Sequence, residues 1–429
     1  MYSESPIERR TFVKWASALP LLLQMGVQQA LGKGWAETEK DAAENIYTRI
    51  GVRPVINGRG TWTYLSASLE LPEVKAAQEA ASKHFVNIFE LQQAVGKRLA
   101  ELTGAESGMI TSGAAGAIAT ATAACLAGTD AQKIWQLPDT TGLKSEVVMV
   151  GGRSPFDSAI RLAGAKLVIV DSHQQLANAI NANTAMIYSG SEADDLAKEI
   201  AIGKKAGVPV FMDAADGIPP IDKLQMYAKM GCDLYTVSGG KGLRGPQCSG
   251  VLLGRKDLIE AALANSNPWE GAVCRPMKVG KEEIMGCLAA IEAAYRMDAS
   301  SLAKLNQEWQ GRVERIEKLV QTVAGVKTSI ATPEGGNSYP TLTVSWDQSG
   351  WGYTIGDCAR ELLEGTPSIA VLTNDNPSDV LSRAPGKAKV HDLTHDRLQI
   401  ISMTLQPGEE IVVGRRLRQL LNAAKSKRG

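Results

Sequence analysis

The chain has 429 residues, which is long enough for one large domain and a smaller one. Of these residues 44% are hydrophobic and 21% charged, a composition typical of a globular protein. Its 46 lysine and arginine residues are balanced by 46 aspartate and glutamate residues, so no net positive charge favours a nucleic acid or an anionic membrane as a partner. The six cysteines and four histidines form no CxxC or HExxH pattern, so the sequence predicts no metal centre.

The N-terminal residues match a twin-arginine export signal. The arginine pair at 9–10 precedes Phe-Val and a lysine, and a modest apolar stretch follows at 15–23. This stretch is too short and interrupted for a stable membrane span. Small residues at 34 and 36 favour cleavage after the second of them. We predict a signal peptide at 1–36 and a periplasmic protein; the alternative is an uncleaved basic N-terminus in a cytoplasmic protein.

Apolar runs alternate with helical patterns from about Asn57 to about Gly254. The predicted strands are Gly108–Thr111, Glu146–Val150, Lys166–Val170, Ala185–Tyr188, Val208–Met212, Leu234–Val237 and Gly250–Leu253. The predicted helices between them are Ala114–Leu126, Phe156–Ala163, Gln174–Ile180, Ala193–Lys205 and Lys223–Met230. Strands separated by helices of this length indicate an α/β fold, with a mainly parallel seven-stranded sheet covered on both faces.

The C-terminal third mixes helices with short strands. Helices are predicted at 282–297, 300–324, 355–364 and 409–426, strands at 341–346 and 397–404, and loops at 335–337 and 374–387. The predicted organisation is an N-terminal arm at 37–75, a large domain at 76–298 and a smaller α+β domain at 299–429.

A turn of small residues follows the strand that ends at Thr111. It consists of Ser112, Gly113 and Ala114 and leads into an alanine-rich helix. Free N–H groups at such a helix start, with no bulky side chain over them, favour a bound phosphate. The turn matches neither GxxxxGK[ST] nor GxGxxG. An ordinary close-packed turn between strand and helix is the alternative interpretation.

Two more polar side chains follow apolar strands at the same predicted edge. Asp213 ends one strand, where a carboxylate either pairs with a protonated pyridine nitrogen or caps a helix. Lys241 follows the next strand and two glycines, where its amine is placed to react with a carbonyl, and Ser238 offers a hydroxyl to a phosphate. A single lysine is most often a solvated surface charge, but these three pieces in this order indicate pyridoxal 5'-phosphate.

Several segments carry a family resemblance. They are 53–58 (RPVING), 95–106 (VGKRLAELTGAE), 213–215 (DAA), 238–247 (SGGKGLRGPQ) and 275–283 (RPMKVGKEE). On these segments the chain resembles the selenocysteine synthase-like family, which is related to L-seryl-tRNA(Sec) selenium transferase and belongs to the fold-type I pyridoxal-phosphate enzymes. That family also includes ammonia-lyase-type relatives that act on amino-sugar acids. The resemblance extends over most of the chain, and the segment around Lys241 is its most specific part.

The resemblance implies a role for each candidate residue. Lys241 would carry the cofactor as a Schiff base and Asp213 would contact the pyridine nitrogen. The phosphate would be held by Ser112, Gly113, Ala114 and Ser238. A homodimer or larger assembly with a shared active site is implied, in which Arg275 or Lys278 reaches the neighbour's phosphate.

The sequence departs from the family pattern in two places. Gly151, Gly152 and Arg153 stand where an aromatic or histidine stacking on the cofactor is expected, so Ala215 is the alternative residue beneath the ring. An export signal occupies the place of the tRNA-binding region, and the net charge is zero. The reaction on a tRNA is therefore disfavoured.

The expected reaction is an α,β-elimination that releases ammonia and a keto acid from an amino acid or amino-sugar acid. Lys241 would be the catalytic base at the α-carbon. Candidates for the substrate carboxylate are Arg59, Arg153, Arg383 and, best placed, Arg244. Alternatives are aminotransferase or other transfer chemistry on the same fold, and a non-catalytic secreted binding protein. A dinucleotide-dependent oxidoreductase is opposed by the missing GxGxxG.

Overall fold

The computed structural model describes residues 45–191, 193–333, 338–373 and 396–426. The chain divides into two compact units, Met1–Val55 and Ile56–Gly429. The described part of the first unit holds a short 3-10 helix, Thr48–Ile50, and strand β1 (Val55–Gly58) begins at its last residue. The export pattern at 1–36, the loops expected at 335–337 and 374–387, and Arg383 lie outside the described residues.

The second unit contains a seven-stranded sheet. Its strands are β2 (Ser107–Thr111), β3 (Glu146–Val150), β4 (Lys166–Val170), β5 (Thr184–Ser189), β6 (Val210–Asp213), β7 (Leu234–Ser238) and β8 (Gly250–Gly254). The order is β2-β8-β7-β6-β5-β3-β4, and only β8 pairs antiparallel with its neighbours. The predicted mainly parallel seven-stranded sheet is confirmed.

Helices cover both faces because both sides of the strands are apolar. In β2, for example, Met109 belongs to one core and Ile110 to the other. The helices of the Ile110 face are α1 (Pro72–Ser82), α2 (Ile88–Thr103), α6 (His173–Ala179), α7 (Ala193–Ala206), α8 (Lys223–Met230) and α10 (Lys281–Arg296). Those of the Met109 face are α3 (Gly113–Ala127), α4 (Ala131–Gln136), α5 (Asp157–Leu162) and α9 (Lys256–Ala264).

The sequence patterns did not predict α1, α2, α4 or α9. Helix α2 nevertheless carries clear end signals, since the Asn87 side chain accepts a hydrogen bond from the Phe89 N–H at 2.9 Å. Such a cap contributes about 1 kcal/mol. The helix ends at Gly104, which has a φ of +74°. A glycine in this left-handed conformation commonly terminates a helix.

The C-terminal part contains a three-stranded antiparallel sheet packed against helices. Its elements are α11 (Ala299–Val320), β9 (Lys327–Ala331), β10 (Thr341–Ser345), α12 (Gln348–Trp351), α13 (Ile355–Glu364), β11 (Ser368–Val371), β12 (Leu398–Ile401) and α14 (Glu409–Ser426). The strand expected at 397–404 ends earlier because residues 402–404 turn into a 3-10 helix. Within the described part of the chain, no helix combines the length and apolar composition of a membrane span.

Candidate active site

The sheet brings the ends of β2, β6 and β7 to one edge. Gly250 of β8 lies opposite Thr111 on one side and opposite Ser238 on the other. Asp213 of β6 is in register with Thr236 of β7. The turn after β2, Asp213 and Ser238 therefore lie at the carboxyl ends of parallel strands. Ligands of open α/β sheets bind at this edge.

The turn at Ser112 and Gly113 exposes the N-terminus of α3. Gly113 has a φ of +77°, which glycine adopts without strain. The turn packs closely on β8, since a Cβ at Gly250 would lie 2.4 Å from the Gly113 carbonyl carbon. The Ser112 hydroxyl makes no capping hydrogen bond within the described residues, and the first turn of α3 contains no acidic residue. These features suit a phosphate group.

The Asp213 carboxylate is oriented by two donors. The Tyr188 hydroxyl donates to Oδ2 at 2.6 Å, and the Ala215 N–H donates to Oδ1 at 3.1 Å. Burial raises the pKa of Asp213, while these hydrogen bonds and the charge of Lys241 act in the opposite direction. The pairing of β6 with β7 brings Asp213 and the loop that carries Lys241 to the same edge of the sheet. Tyr188, on β5, is a site residue that the sequence analysis missed.

The loop that carries Lys241 depends on its glycines. A Cβ at Gly239 would lie 2.0 Å from the Ser249 Oγ, and one at Gly242 would lie 2.0 Å from the Ile218 carbonyl oxygen. The Ser68 hydroxyl donates to the Lys241 carbonyl at 2.9 Å and to the preceding carbonyl at 2.6 Å. Lys241 itself is half-buried. The backbone packing on both sides therefore fixes the position of this lysine.

The candidate substrate arginines occupy different environments. Arg244 follows the Lys241 loop with a left-handed φ of +56°, and its Nε donates to the Leu69 carbonyl at 3.0 Å. Burial, followed by the nearby charge of Arg312, lowers the pKa of Arg244. Arg59 is buried; it donates to the Val371 carbonyl at 3.0 Å and lies over two aromatic rings. The structure thus places Arg244 beside Lys241 and packs Arg59 against the C-terminal part of the chain.

The segment after β3 is organised by an ion pair. Arg153 donates two hydrogen bonds to the buried Asp157, and Arg161 donates a third at 3.2 Å. The two guanidinium groups hold the pKa of Asp157 below its usual range in spite of burial. Arg153, a candidate for the substrate carboxylate, is therefore ion-paired with Asp157.

Ala215 connects the site strands. Its N–H donates a hydrogen bond to the Asp213 carboxylate, and its carbonyl accepts a hydrogen bond from the Ser238 N–H at 3.1 Å.

Two basic residues that the family resemblance assigns to a neighbouring subunit, the half-buried Arg275 and the exposed Lys278, lie between α9 and α10. Their reach to a second subunit stays a prediction.

Comparison with known proteins defines the family. Residues 89–331 match the family model SelA, described as L-seryl-tRNA selenium transferase. The chain belongs to the SelA family. It is 30% identical to a 5'-C-glycyluridine monooxygenase-decarboxylase of Streptomyces sp, a match covering 87% of this chain and 92% of the relative. It is also 30% identical to the D-glucosaminate-6-phosphate ammonia lyase of Salmonella typhimurium, over 76% of this chain and 88% of that protein.

A selenium transferase of the SelA family is more distant. The L-seryl-tRNA(Sec) selenium transferase of Moorella thermoacetica is 26% identical, with 89% of this chain and 85% of the relative covered. Among solved structures, a D-glucosaminate-6-phosphate ammonia-lyase superposes with a TM-score of 0.70 at 27% identity, covering 89% of this chain and 99% of that one. A Sphingomonas wittichii serine palmitoyltransferase, at 13% identity and a TM-score of 0.55, shares the fold. The fold-type I architecture expected from the sequence is confirmed.

The residues at this edge fit the cofactor of the SelA family, pyridoxal 5'-phosphate. The backbone cradle at Gly113, which a Cβ at Gly250 would fill, matches a phosphate, and the half-buried Asp213 carboxylate matches a pyridine nitrogen. This SelA family member is a pyridoxal-phosphate-dependent lyase or transferase, as the sequence predicts.

Proposed function

We propose that this enzyme eliminates ammonia from an amino acid or amino-sugar acid and forms a keto acid. The observation that carries the proposal is that the half-buried, Tyr188-bonded Asp213 and the loop of Lys241 lie at the ends of the neighbouring strands β6 and β7, at one edge of the sheet. The similarity to D-glucosaminate-6-phosphate ammonia lyase, in sequence and in structure, supports a lyase reaction.

Each residue has a defined task in this reaction. The turn of Ser112, Gly113 and Ala114, together with Ser238, binds the cofactor phosphate. Asp213 retains a proton on the pyridine nitrogen. Bound in this way, pyridoxal phosphate supplies an electron sink for the substrate α-carbon. Lys241 would hold the cofactor through its Nζ. As a free amine, this Nζ would accept the α-proton and donate it to the substituent that leaves the β-carbon. Water then hydrolyses the resulting enamine, as its imine tautomer, to ammonia and the keto acid.

The first prediction concerns Lys241. Purified protein should be yellow, and borohydride reduction should fix a pyridoxyl group on the peptide that contains Lys241. A screen of amino acids and amino-sugar acids should then reveal a substrate from which ammonia and a keto acid are released together. We expect Lys241→Ala to lose at least about a thousandfold in rate, since it removes both the cofactor attachment and the base.

Lys256→Ala is the matched control, because Lys256 is exposed and follows the end of β8, at the opposite edge of the sheet from the site. Colourless protein that takes up no pyridoxal phosphate would contradict the cofactor assignment to these residues. Bound cofactor without release of ammonia from any substrate in the screen would contradict the elimination.

A transfer reaction is the second candidate, favoured by the SelA match at 89–331. The balance of 46 basic and 46 acidic residues gives no net positive charge that would attract a large RNA. Seryl-tRNA offered as substrate tests this alternative, and selenium transfer to it would replace the lyase proposal.

We also propose that the protein is exported and that it forms a homodimer or larger homo-oligomer. The twin-arginine pattern at 1–36 supports export to the periplasm. N-terminal sequencing of the mature protein tests the export proposal, and we expect the chain to start near Glu37.

An exposed apolar surface supports self-association. It consists of Phe85, Val86, Phe89 and Trp269, and we call it the Phe85 surface.

A further inference from the structure

A cavity of about 220 Å³ lies next to the Lys241 loop. One wall is formed by Ser68, Leu69 and Arg244, and the opposite wall by α11 and the segment that follows β12. The cavity shares backbone with the site, because the Ser68 hydroxyl and the Arg244 N–H both donate to the Lys241 carbonyl, at 2.9 and 3.0 Å. A group bound in this cavity would therefore lie beside the backbone of the loop that carries Lys241.

Two guanidinium groups line the cavity without a carboxylate partner. Burial lowers the pKa of both Arg244 and Arg312, and the charge of Arg312 adds to the effect on Arg244. Arg312 donates through Nη1 to the Leu405 carbonyl at 2.5 Å, and neither arginine forms a salt bridge with any described residue. Two neighbouring, partly desolvated positive charges favour the approach of an anion. The carboxylates of Glu308, Glu409 and Glu410 act on Arg312 from a distance, without a salt bridge to it.

Thr404, a lining residue of the cavity, has a polar group without a partner in the described part of the chain. The Thr404 Oγ1 is buried and makes no hydrogen bond to a described residue. A buried hydroxyl without a partner costs free energy, which a ligand acceptor would recover. The nearby carboxylates do not fill this role: Glu308 lines the cavity but is exposed, Glu410 pairs with Arg315, and burial raises the pKa of Glu409.

We propose that this cavity binds an anionic group of the substrate, a carboxylate or a phosphate, through Arg244, Arg312 and the Thr404 hydroxyl. Guanidinium groups bind both anions through paired N–H donors. Arg312 and Thr404 thereby become specificity-determining residues contributed by the C-terminal part of the chain. The inference rests on the proposed function, because it assigns the cavity to the substrate of that reaction.

The second prediction is measured by calorimetry on the holoenzyme, whose cofactor phosphate already occupies the Ser112 turn. Inorganic phosphate and malonate are titrated in separate experiments, and the tighter binder identifies the preferred anion. We expect Arg312→Gln to weaken binding of that anion about tenfold or more, since a charge-assisted hydrogen bond contributes more than about 1.5 kcal/mol. Lys304→Gln, which removes an exposed charge from the same helix, should change binding less than about twofold.

Thr404→Val tests the same cavity in a protein that retains Arg312. Its result therefore does not depend on whether the protein folds without that arginine. Removal of an unpartnered buried hydroxyl should leave the melting temperature unchanged or raised, yet weaken anion binding several-fold. Unchanged binding in both variants, or no binding of either anion to the wild type, would overturn the proposal. Because the titrations need no turnover, they give this result even if the elimination reaction is absent. With a substrate in hand, Arg312→Gln should raise KM much more than it lowers kcat.

Discussion

Asp213 depends on neighbours from two other strands. Transfer of a carboxylate out of water raises its pKa, whereas the Tyr188 hydroxyl, the Ala215 N–H and the Lys241 charge favour the ionised form. Only ionised Asp213 holds a protonated pyridine nitrogen. Tyr188 is therefore a positioning residue that acts through Asp213.

The third prediction is that Tyr188→Phe moves the acidic limb of the pH–rate profile to higher pH. Loss of the 2.6 Å hydrogen bond removes an interaction that lowers the pKa of Asp213, so this pKa rises further and less carboxylate is ionised at a given pH. Activity on the acidic limb should fall about tenfold, with a smaller loss at high pH. The measurement is kcat/KM against pH for the substrate identified by the ammonia screen.

Tyr295→Phe serves as the control, because the Tyr295 hydroxyl is also buried but makes no hydrogen bond to a described residue. Its pH profile should match that of the wild type. An acidic limb that stays in place in Tyr188→Phe would show that the tyrosine does not govern Asp213.

At the scale of elements, the contact between β8 and α3 shapes the turn that we propose binds the phosphate. The backbone of Gly250 leaves no space for a side chain, because a Cβ would lie 2.4 Å from the Gly113 carbonyl carbon and 2.6 Å from the Ala114 nitrogen. Both neighbours are backbone atoms of the turn itself. The glycine in β8 thus determines how close the helix N-terminus lies to the sheet edge.

The fourth prediction is that Gly250→Ala weakens cofactor binding at least about tenfold and destabilises the protein by about 1–3 kcal/mol, as expected of overpacking. Cofactor dissociation is followed by absorbance, and stability by urea unfolding. Gly190→Ala is the matched control, since a Cβ there meets no atom within 4 Å. Equal cofactor affinity in Gly250→Ala and the wild type would refute the role of this contact.

At the scale of the whole molecule, the Phe85 surface is the feature that favours assembly. Phe85 is fully exposed, and Phe89 contacts Trp269 edge-on at 4.9 Å between ring centroids. Such an apolar cluster is rarely left in water by a monomer. It lies between α1 and α2 and beside the segment that contains Arg275, which the family resemblance implies reaches a neighbouring subunit.

The fifth prediction is that Phe85→Glu dissociates the assembly, with at least about a tenfold weaker self-association, because a charge must then be buried in an apolar interface. Light scattering across a concentration series measures the mass. Leu162→Glu, which changes an exposed apolar residue outside this surface, should leave the mass unchanged. A monomeric wild type would end the proposal of a shared site.

The helices and strands of the large sheet were predictable where their hydrophobic pattern was strong. The bounds of β3, β4, α8, α13 and α14 are those expected from the sequence. Helices α1, α2, α4 and α9 were missed because their end signals, such as Asn87, were not read. Tyr188 was missed because a tyrosine at the end of an apolar strand resembles a core residue until the neighbouring strand is known.

The sequence by itself determined the α/β order of elements and singled out the proposed phosphate turn, Asp213 and Lys241, because strand ends, small-residue turns and the family segments are local patterns. Only the tertiary structure decided which of these groups meet. The pairing of β8 with both β2 and β7 joins the turn to Ser238, and the adjacency of β5 and β6 gives Asp213 its tyrosine. The approach of α11 places Arg312 near Arg244. These contacts join residues that are far apart in the chain. Burial and neighbouring charges therefore change the pKa values of Asp213 and Arg244 only after the chain has folded.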